Sequence, residues 1–267
     1  MTMAETGKAA SLRAILADAG SAVIALSGGT DSTLLVSFAA GVSGLRVMAV
    51  TVRTPYMFSS EVKEAKLFCA SVGVEHREIG MDMPLTVSSN PPDRCYLCKR
   101  EVMKAVTETA REGGFAFVFD GTNADDLQDY RPGMKALREM NIRSPLAEAR
   151  LTKAEIRALA REAGLEVSDK PSNTCLLTRF PHDTVMTAEN LRRAEEAELI
   201  VTEMGFPGTR VRIHGELVRI ECRSEHFACI IKEEIREKIS SALKKLGYKY
   251  ITIDAEGYRS GSMNKTI

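Results

Sequence analysis

No apolar run in this chain of 267 residues approaches the roughly 18 residues that a membrane-spanning helix needs, and no charged-then-apolar leader opens it. Neither membrane insertion nor secretion is expected, and a cytoplasmic location is. A net field is missing too: 36 basic residues balance 36 acidic ones, leaving no general attraction for a polyanion. No glycine-rich loop ends in Gly-Lys-Ser or Gly-Lys-Thr, which excludes the loop that grips a terminal phosphate and its magnesium for hydrolysis. The single CxxC, Cys95 and Cys98, has no second CxxC or paired-histidine motif to complete an ordinary zinc site, and no repeat or low-complexity tract is visible.

What is present is a 44% hydrophobic composition, enough to bury one large core or two modest ones. Ser27-Gly28-Gly29-Thr30-Asp31-Ser32 stands between an apolar run and a helical pattern. Glycines let the main chain approach a ligand, the hydroxyls of Ser27, Thr30 and Ser32 add donors, and the following helix aims its first N–H groups at the same spot. A plain Ser/Gly-rich turn is the competing reading. The flanking strand and helix favour the phosphate.

The motif SGGxDS resembles the PP-loop of the ATP pyrophosphatases, enzymes that use ATP to adenylate an oxygen and release pyrophosphate. The resemblance implies that Ser27, Gly28, Gly29, Asp31 and Ser32 hold the pyrophosphate portion of ATP, with Asp31 and Ser32 in the catalytic set. The loop alone gives a reaction type and no substrate.

Periodicity predicts strands over 21–26, 46–52, 75–79 and 115–120, with helices over 34–40, 61–72 and 97–111 between them. Such a run of βαβ units implies an α/β fold, a mostly parallel sheet with helices on both faces. The last strand stops at Gly121-Thr122-Asn123-Ala124-Asp125-Asp126, and ligands collect at the carboxyl ends of such strands, where the SGG loop also begins. Asp125 and Asp126 either cap the next turn or hold Mg2+ on nucleotide phosphates. The PP-loop resemblance adds Thr122, Asn123 and Asp126 as neighbours of ATP. Thr152 and Glu155 read as a capping box for a helix that ends at Gly164. At Lys170-Pro171 the alternation stops, dividing a PP-loop domain, 1–170, from an α+β domain, 171–267, that supplies substrate contacts or assembly surfaces. In the latter, helices are predicted near 188–204 and over 230–246, with strands over 210–214, 217–222 and 248–254.

The cysteines carry a second layer of chemistry. Cys95 and Cys98 lie at a loop-to-helix junction among Arg94, Lys99 and Arg100, where positive charge and a helix N-terminus stabilise thiolate. Cys175 lies in a loop shortly before Arg179, while Cys69, Cys222 and Cys229 fall in helix or strand patterns and read as small buried hydrophobes. Spacing leaves four uses open: zinc held by the three thiols with His182, a redox dithiol, a 4Fe-4S cluster with one open iron, or Cys175 alone as nucleophile or sulfur donor.

Across nearly its whole length the chain resembles the LarE family of ATP-dependent sulfur transferases. The matching pieces are SGGTDS at 27–32, NPPDRCYLCK at 90–99, GTNADD at 121–126, SPLAEARLTKAEIRALA at 144–160, KPSNTCL at 170–176, RVRIHGELVRIE at 210–221 and GYRSGSMN at 257–264. The resemblance implies that ATP adenylates the carboxylates of pyridinium-3,5-biscarboxylic acid mononucleotide and that sulfur displaces AMP, giving thiocarboxylates for nickel-pincer cofactor synthesis. It implies ATP, Mg2+ and a 4Fe-4S cluster on Cys95, Cys98 and Cys175 as cofactors, sulfide or another sulfur donor as partner, and assembly into trimers or hexamers. In family members without the CxxC, the cysteine at the position of Cys175 is a sacrificial donor. Arg210 and Arg212 match residues that bind the substrate phosphate, Arg179 lies near Cys175, and Glu221 orients groups there; from the residues alone they read as a solvated strand face with surface ion pairs. Two alternatives remain at this stage: a tRNA thiolase, against which the neutral charge argues, and a nucleotide- or metal-binding sensor without turnover.

Overall fold

In the computed structural model the described residues are 7–128, 132–171, 173–259 and 261–264, so Ser172 of KPSNTCL and Ser260 of GYRSGSMN lie outside them. Among the described residues no helix is long and apolar enough to cross a membrane. The chain divides into two units, Met1–Pro84 with Asp93–Ser172, and Leu85–Pro92 with Asn173–Ile267. The excursion of Leu85–Pro92 into the second unit has no signature in composition.

The first unit is an α/β layer structure. Strands β1 (Ser21–Ala25), β2 (Arg46–Arg53), β3 (Glu75–Gly80) and β4 (Phe117–Phe119) form a four-stranded parallel sheet in the order β3-β2-β1-β4. Helix α1 (Gly7–Ala19) precedes β1; α2 (Thr30–Ala40), α3 (Ser59–Ser71) and α4 (Arg94–Glu112) make the crossovers. Side chains alternate across the sheet, so Ala22 and Ile24 of β1 face one way and Val23 the other. The first face packs on Leu12 and Leu16 of α1, Leu34 and Leu35 of α2, and Ile156 and Leu159 of α7 (Lys153–Glu162). On the second face, Val23, Met48 and Val50 meet Val106 and Ala110 of α4. Each fully buried aliphatic chain contributes about 1.5–3 kcal/mol of transfer free energy. Covering both faces is what a parallel sheet of near-continuous apolar strands requires.

The predicted strand over 115–120 contracts to Phe117–Phe119. Phe115 leaves it to lie under the Arg46 guanidinium, 4.1 Å from the ring centroid, and past Phe119 the main chain pairs instead with Arg143, whose N–H donates to Val118 O and whose carbonyl accepts from Asp120 N–H at 3.0 Å. Helices α5 (Gly133–Glu139) and α6 (Pro145–Glu148) complete the return from β4 to α7.

In the second unit, α8 (Ala188–Glu203) precedes a three-stranded sheet in the order β5-β6-β7, with β5 (Arg210–His214) antiparallel to β6 (Leu217–Glu221) and β7 (Tyr250–Ile253) parallel to it. A short helix not predicted, α9 (Ser224–Ile230), precedes α10 (Glu233–Lys245), which is the helix predicted over 230–246. Lys232 is extended, with ψ 141°, and caps α10, its carbonyl accepting from Arg236 N–H at 2.9 Å. Cys69 and Cys222 are buried, but Cys229 on α9 is exposed, against the expectation of a small core residue. The short helix that carries it turns that side chain outward while Ile230 goes inward.

Candidate active site

The loop after β1 folds on itself. The Ser32 hydroxyl donates to Gly29 O at 3.2 Å and accepts from Ser27 N–H at 3.2 Å, so the Ser27 hydroxyl, 3.1 Å away, is the donor of that pair and accepts from Gly29 N–H. Gly28 has φ +75°, and a Cβ there would meet the Glu61 carbonyl at 2.9 Å. Gly29 begins α2 without a side-chain cap, so the first-turn N–H groups and the positive end of the helix dipole face the loop. Thr30 is not a loop donor: its hydroxyl goes to Val167 O at 2.8 Å. Two amines frame the turn. Lys170 Nζ donates to Gly28 O at 3.4 Å and to Glu64 at 2.5 Å, and Lys153 Nζ lies 2.6 Å from Asp31 Oδ2.

The GTNADD segment packs on this loop. A Cβ on Gly121 would sit 2.9 Å from Ser32 N, so only glycine allows the approach. The Asp120 carboxylate, buried at the end of β4, accepts from Thr122 N–H, from the Thr122 hydroxyl at 2.7 Å and from Ser144 at 2.6 Å, with Lys99 Nζ 3.5 Å away. Asn123 Oδ1 accepts from the N–H groups of Asp125 and Asp126 while its own N–H donates to Asp126 Oδ2 at 3.0 Å. Asp125 Oδ2 accepts from Lys153 N–H at 2.8 Å, at the start of α7, where Thr152 and Glu155 form the predicted capping box. Asn123, not the paired aspartates, thus accepts the first N–H groups of the turn at Asp125–Leu127, while the two carboxylates accept from the N–H groups of Asn123 and Lys153.

Helix α4 starts at Arg94, directly after Pro91, Pro92 and Asp93, and so takes the CxxC into its first turns, with Cys95 and Cys98 on one side of the helix. Cys95 is exposed; Cys98 is partly buried and its Sγ lies 3.2 Å from the Tyr56 hydroxyl. Burial pushes the Cys98 thiol up, outweighing the Tyr56 hydrogen bond and the Lys99 charge, which corrects the expectation of a stabilised thiolate there. Cys175 belongs to the second unit, as does His182. It caps a 3-10 turn, Leu176–Arg179, its carbonyl accepting from the N–H and, at 2.8 Å, the hydroxyl of Thr178. No disulfide involves any of the six cysteines, and among the described residues no group of three or more His, Cys, Asp or Glu is gathered to hold a metal ion.

The second unit buries an arginine network. Arg179, fully buried, makes a two-pronged pair with Glu198 at 2.8 and 2.5 Å and donates to the Thr174 carbonyl and hydroxyl. Arg210 reaches the same Glu198 at 3.4 Å. Arg212 pairs with Glu221 at 2.8 Å and donates to Thr178 O and Ser262 Oγ. Arg219 shares Glu221 at 2.9 Å, and Asp254 stands between Arg219 and Arg259 at 3.5 and 3.6 Å. Arg210 and Arg212 are each only 4% exposed, so the solvated strand face expected from the residues alone is replaced by a buried one. Burial lowers the Arg210 pKa, and Arg179 and Arg212 lower it further against the pull of Glu198. Glu256 also pairs with Arg259, and among the described residues guanidinium groups still outnumber carboxylates in this network, an imbalance that a bound anion relieves. Asn90, fully buried, ties the loop after Cys175 together by donating from Nδ2 to the carbonyls of Leu177, Phe180 and Pro181.

The asparagine synthase family model matches residues 9–88, which hold the SGG loop and the first three strands. The pyridinium-3,5-bisthiocarboxylic acid mononucleotide synthase of Lactiplantibacillus plantarum is 34% identical over 97% of this chain and 95% of its own. The chain belongs to the LarE family of PP-loop ATP-dependent sulfurtransferases. Uncharacterized proteins of Synechocystis sp., 35% identical over 97% of this chain and 98% of theirs, and of Methanocaldococcus jannaschii, 33% identical over 89% and 90%, are similar over comparable lengths.

Within this LarE-family chain the structure brings Ser27, Gly28, Gly29, Asp31 and Ser32 together with the GTNADD segment, and Arg179, Arg210, Arg212 and Glu221 together in the second unit. Sequence reading missed Lys153, Lys170, Asp120, Tyr56, Asn90 and Glu198 as members of these sites. Lys153 and Lys170 stood in quoted motifs but looked like helix-start and boundary residues. Glu198 had no signal, because a glutamate on a charged amphipathic helix is indistinguishable from a solvated one until the helix is packed.

Proposed function

We propose that this chain uses ATP to adenylate the carboxylates of pyridinium-3,5-biscarboxylic acid mononucleotide and replaces the AMP with sulfur, giving the thiocarboxylates of nickel-pincer cofactor synthesis. The observation that carries the reading is the excess of buried arginine over buried carboxylate among the described residues of the second unit, which suits a small ligand bearing phosphate and carboxylate groups. The named synthase in the same family supports the choice of ligand. A substrate carboxylate oxygen attacks the α-phosphorus and the bond to the β-phosphate breaks. Pyrophosphate leaves into the Ser27, Gly28, Gly29 and Ser32 cradle, flanked by Thr122, Asn123 and Asp126. A sulfur nucleophile then adds to the acyl carbon, and AMP departs with the electron pair of the C–O bond. Arg210 and Arg212 hold the substrate phosphate, while Arg179 and Glu221 fix their orientation.

Asp31 fits Mg2+ as a hard oxygen ligand, since its Oδ1 is buried without a hydrogen-bond partner, and Asp126 is the second candidate. Cys95 and Cys98, one turn apart on α4, fit two positions on one iron-sulfur centre, with Cys175 as the third thiol. When bound, a 4Fe-4S cluster with one iron unligated by protein supplies a site for exogenous sulfide. The sacrificial route has an observation of its own: Cys175 is joined to the arginine network through Thr178, whose carbonyl accepts from Arg212 and whose hydroxyl donates to the Cys175 carbonyl. Assembly into trimers or hexamers in the cytoplasm belongs to the same proposal.

The test is an anaerobic assay with ATP, the biscarboxylate mononucleotide and sulfide, following pyrophosphate and thiocarboxylate, with tRNA as the competing substrate. Repeated turnover that depends on Cys95, Cys98 and Cys175 is expected. One sulfur per chain with loss of mass at Cys175 selects the sacrificial route, and pyrophosphate release only with tRNA overturns the substrate.

A further inference from the structure

Tyr56 lies just beyond β2, in a stretch where Thr54, Tyr56 and Phe58 are all buried, and it is only 2% exposed. The turn that carries it is held on both sides. Met57 N–H donates to Thr54 O at 3.2 Å, and Phe58, extended, precedes α3 and accepts at its carbonyl from Glu61 N–H at 3.1 Å. The Tyr56 hydroxyl lies 3.2 Å from Cys98 Sγ, in the first turns of α4, the helix that covers the second face of the sheet. The two thiols of the CxxC are thereby unequal: Cys95 is exposed, whereas Cys98 is partly buried against a phenol. A buried tyrosine hydroxyl usually finds a hydrogen-bond partner, and a neutral thiol is a weak one. The arrangement suits a sulfur that has lost its proton.

We infer that Tyr56 is a positioning residue for the iron-sulfur centre, its hydroxyl fixing Cys98 Sγ in place and donating to it once coordination has made it a thiolate. The inference rests on the reading of Cys95 and Cys98 as ligands. On coordination the thiol proton passes to solvent and a sulfur lone pair goes to iron, with no change of oxidation state. The sulfur, now without a proton, can only accept, so Tyr56 is the donor. A charge-assisted hydrogen bond of this kind is shorter than a neutral one and about twice as strong. It also draws charge from the thiolate, which favours the more negative, reduced form of the centre and raises its reduction potential.

Full-length protein reconstituted anaerobically with iron and sulfide is titrated potentiometrically and followed by electron paramagnetic resonance. Tyr56→Phe, which removes only the hydroxyl, is expected to shift the midpoint to a more negative potential and to release iron to a chelator about tenfold faster. Tyr96→Phe is the control, because that tyrosine stands between the two cysteines in sequence and sends its hydroxyl to Glu139 at 2.7 Å, and its potential is expected to match that of the wild type. Apoprotein loaded with cobalt(II) gives a second reading that needs no cluster: the thiolate-to-cobalt charge-transfer band is expected to move to lower energy in Tyr56→Phe alone. An unchanged potential with an unchanged cobalt band in Tyr56→Phe, or equal shifts in Tyr96→Phe, overturns the inference and leaves the ligand set intact. Failure of the wild-type protein to take up either metal overturns the ligand set and the inference together.

Discussion

Gly121 and Ser32 approach so closely that a Cβ on the glycine would sit 2.9 Å from the serine main-chain nitrogen. That contact joins the end of β4 to the first turn of α2, and the phosphate loop inherits its position from it. Gly121→Ala must displace one or the other. Pyrophosphate release from ATP is expected to fall on the order of a hundredfold, as for an ångström-scale misplacement of a reacting group. Gly41→Ala, where the new methyl meets only Phe38 O at 3.6 Å, is the control and is expected to leave activity near wild type.

Glu198 answers two buried guanidinium groups at once. Glu198→Gln keeps the volume but strands both charges, and a loss of roughly 3–5 kcal/mol in unfolding free energy is expected from urea titration. The paired change Arg179→Met with Glu198→Leu is expected to cost less than Glu198→Gln alone, since it removes buried charge on both sides.

Asn90 combines left-handed backbone, φ 53°, with an amide shared among three carbonyls. Asn90→Ala loses both, at about 1–3 kcal/mol for the stranded carbonyls and a further 1–2 for the backbone. Asn90→Gly is expected to recover only the backbone part, and thermal melts of the two variants separate the contributions.

Burial raises the Cys69 thiol to about 11 from the ordinary 9.0. The folded state then holds the proton more tightly than the unfolded one, so stability is full below pH 9 and declines as pH rises through the window to about 11. Relative to Cys69→Val, the wild-type protein is expected to lose on the order of 2 kcal/mol more across that window. A parallel decline in both proteins would assign the alkaline loss to other groups.

The sheet and its helices were legible because a parallel strand buried on both faces leaves an apolar run that few other elements imitate. Helix α1 was readable as well, in the spacing of Ala9, Leu12, Leu16 and Ala19, but was overlooked beside the motif that follows it. The SGG loop announced itself through its two glycines, of which Gly28 answers a steric need. The arginine network did not, since sequence lists charges without saying that Glu198 on α8 and Arg210 on β5 are folded inward together. Lys153 was hidden by its own helix: as the residue after a capping threonine it looked like surface. Helix α9 was missed because its seven residues, of which Ile230 is the buried one, are too few to mark a helical spacing.

The passage of Leu85–Pro92 through the second unit means that the chain crosses between units at Pro84, at Pro92 and again between Pro171 and Asn173. The halves are stitched rather than strung. A protease cut at any one crossing leaves a covalent tether, and a fragment ending at residue 170 keeps Asn90 but discards the carbonyls of Leu177, Phe180 and Pro181 that its amide was shaped to meet. Dissection into an autonomous ATP-handling piece therefore needs the stitch removed as well as the tail.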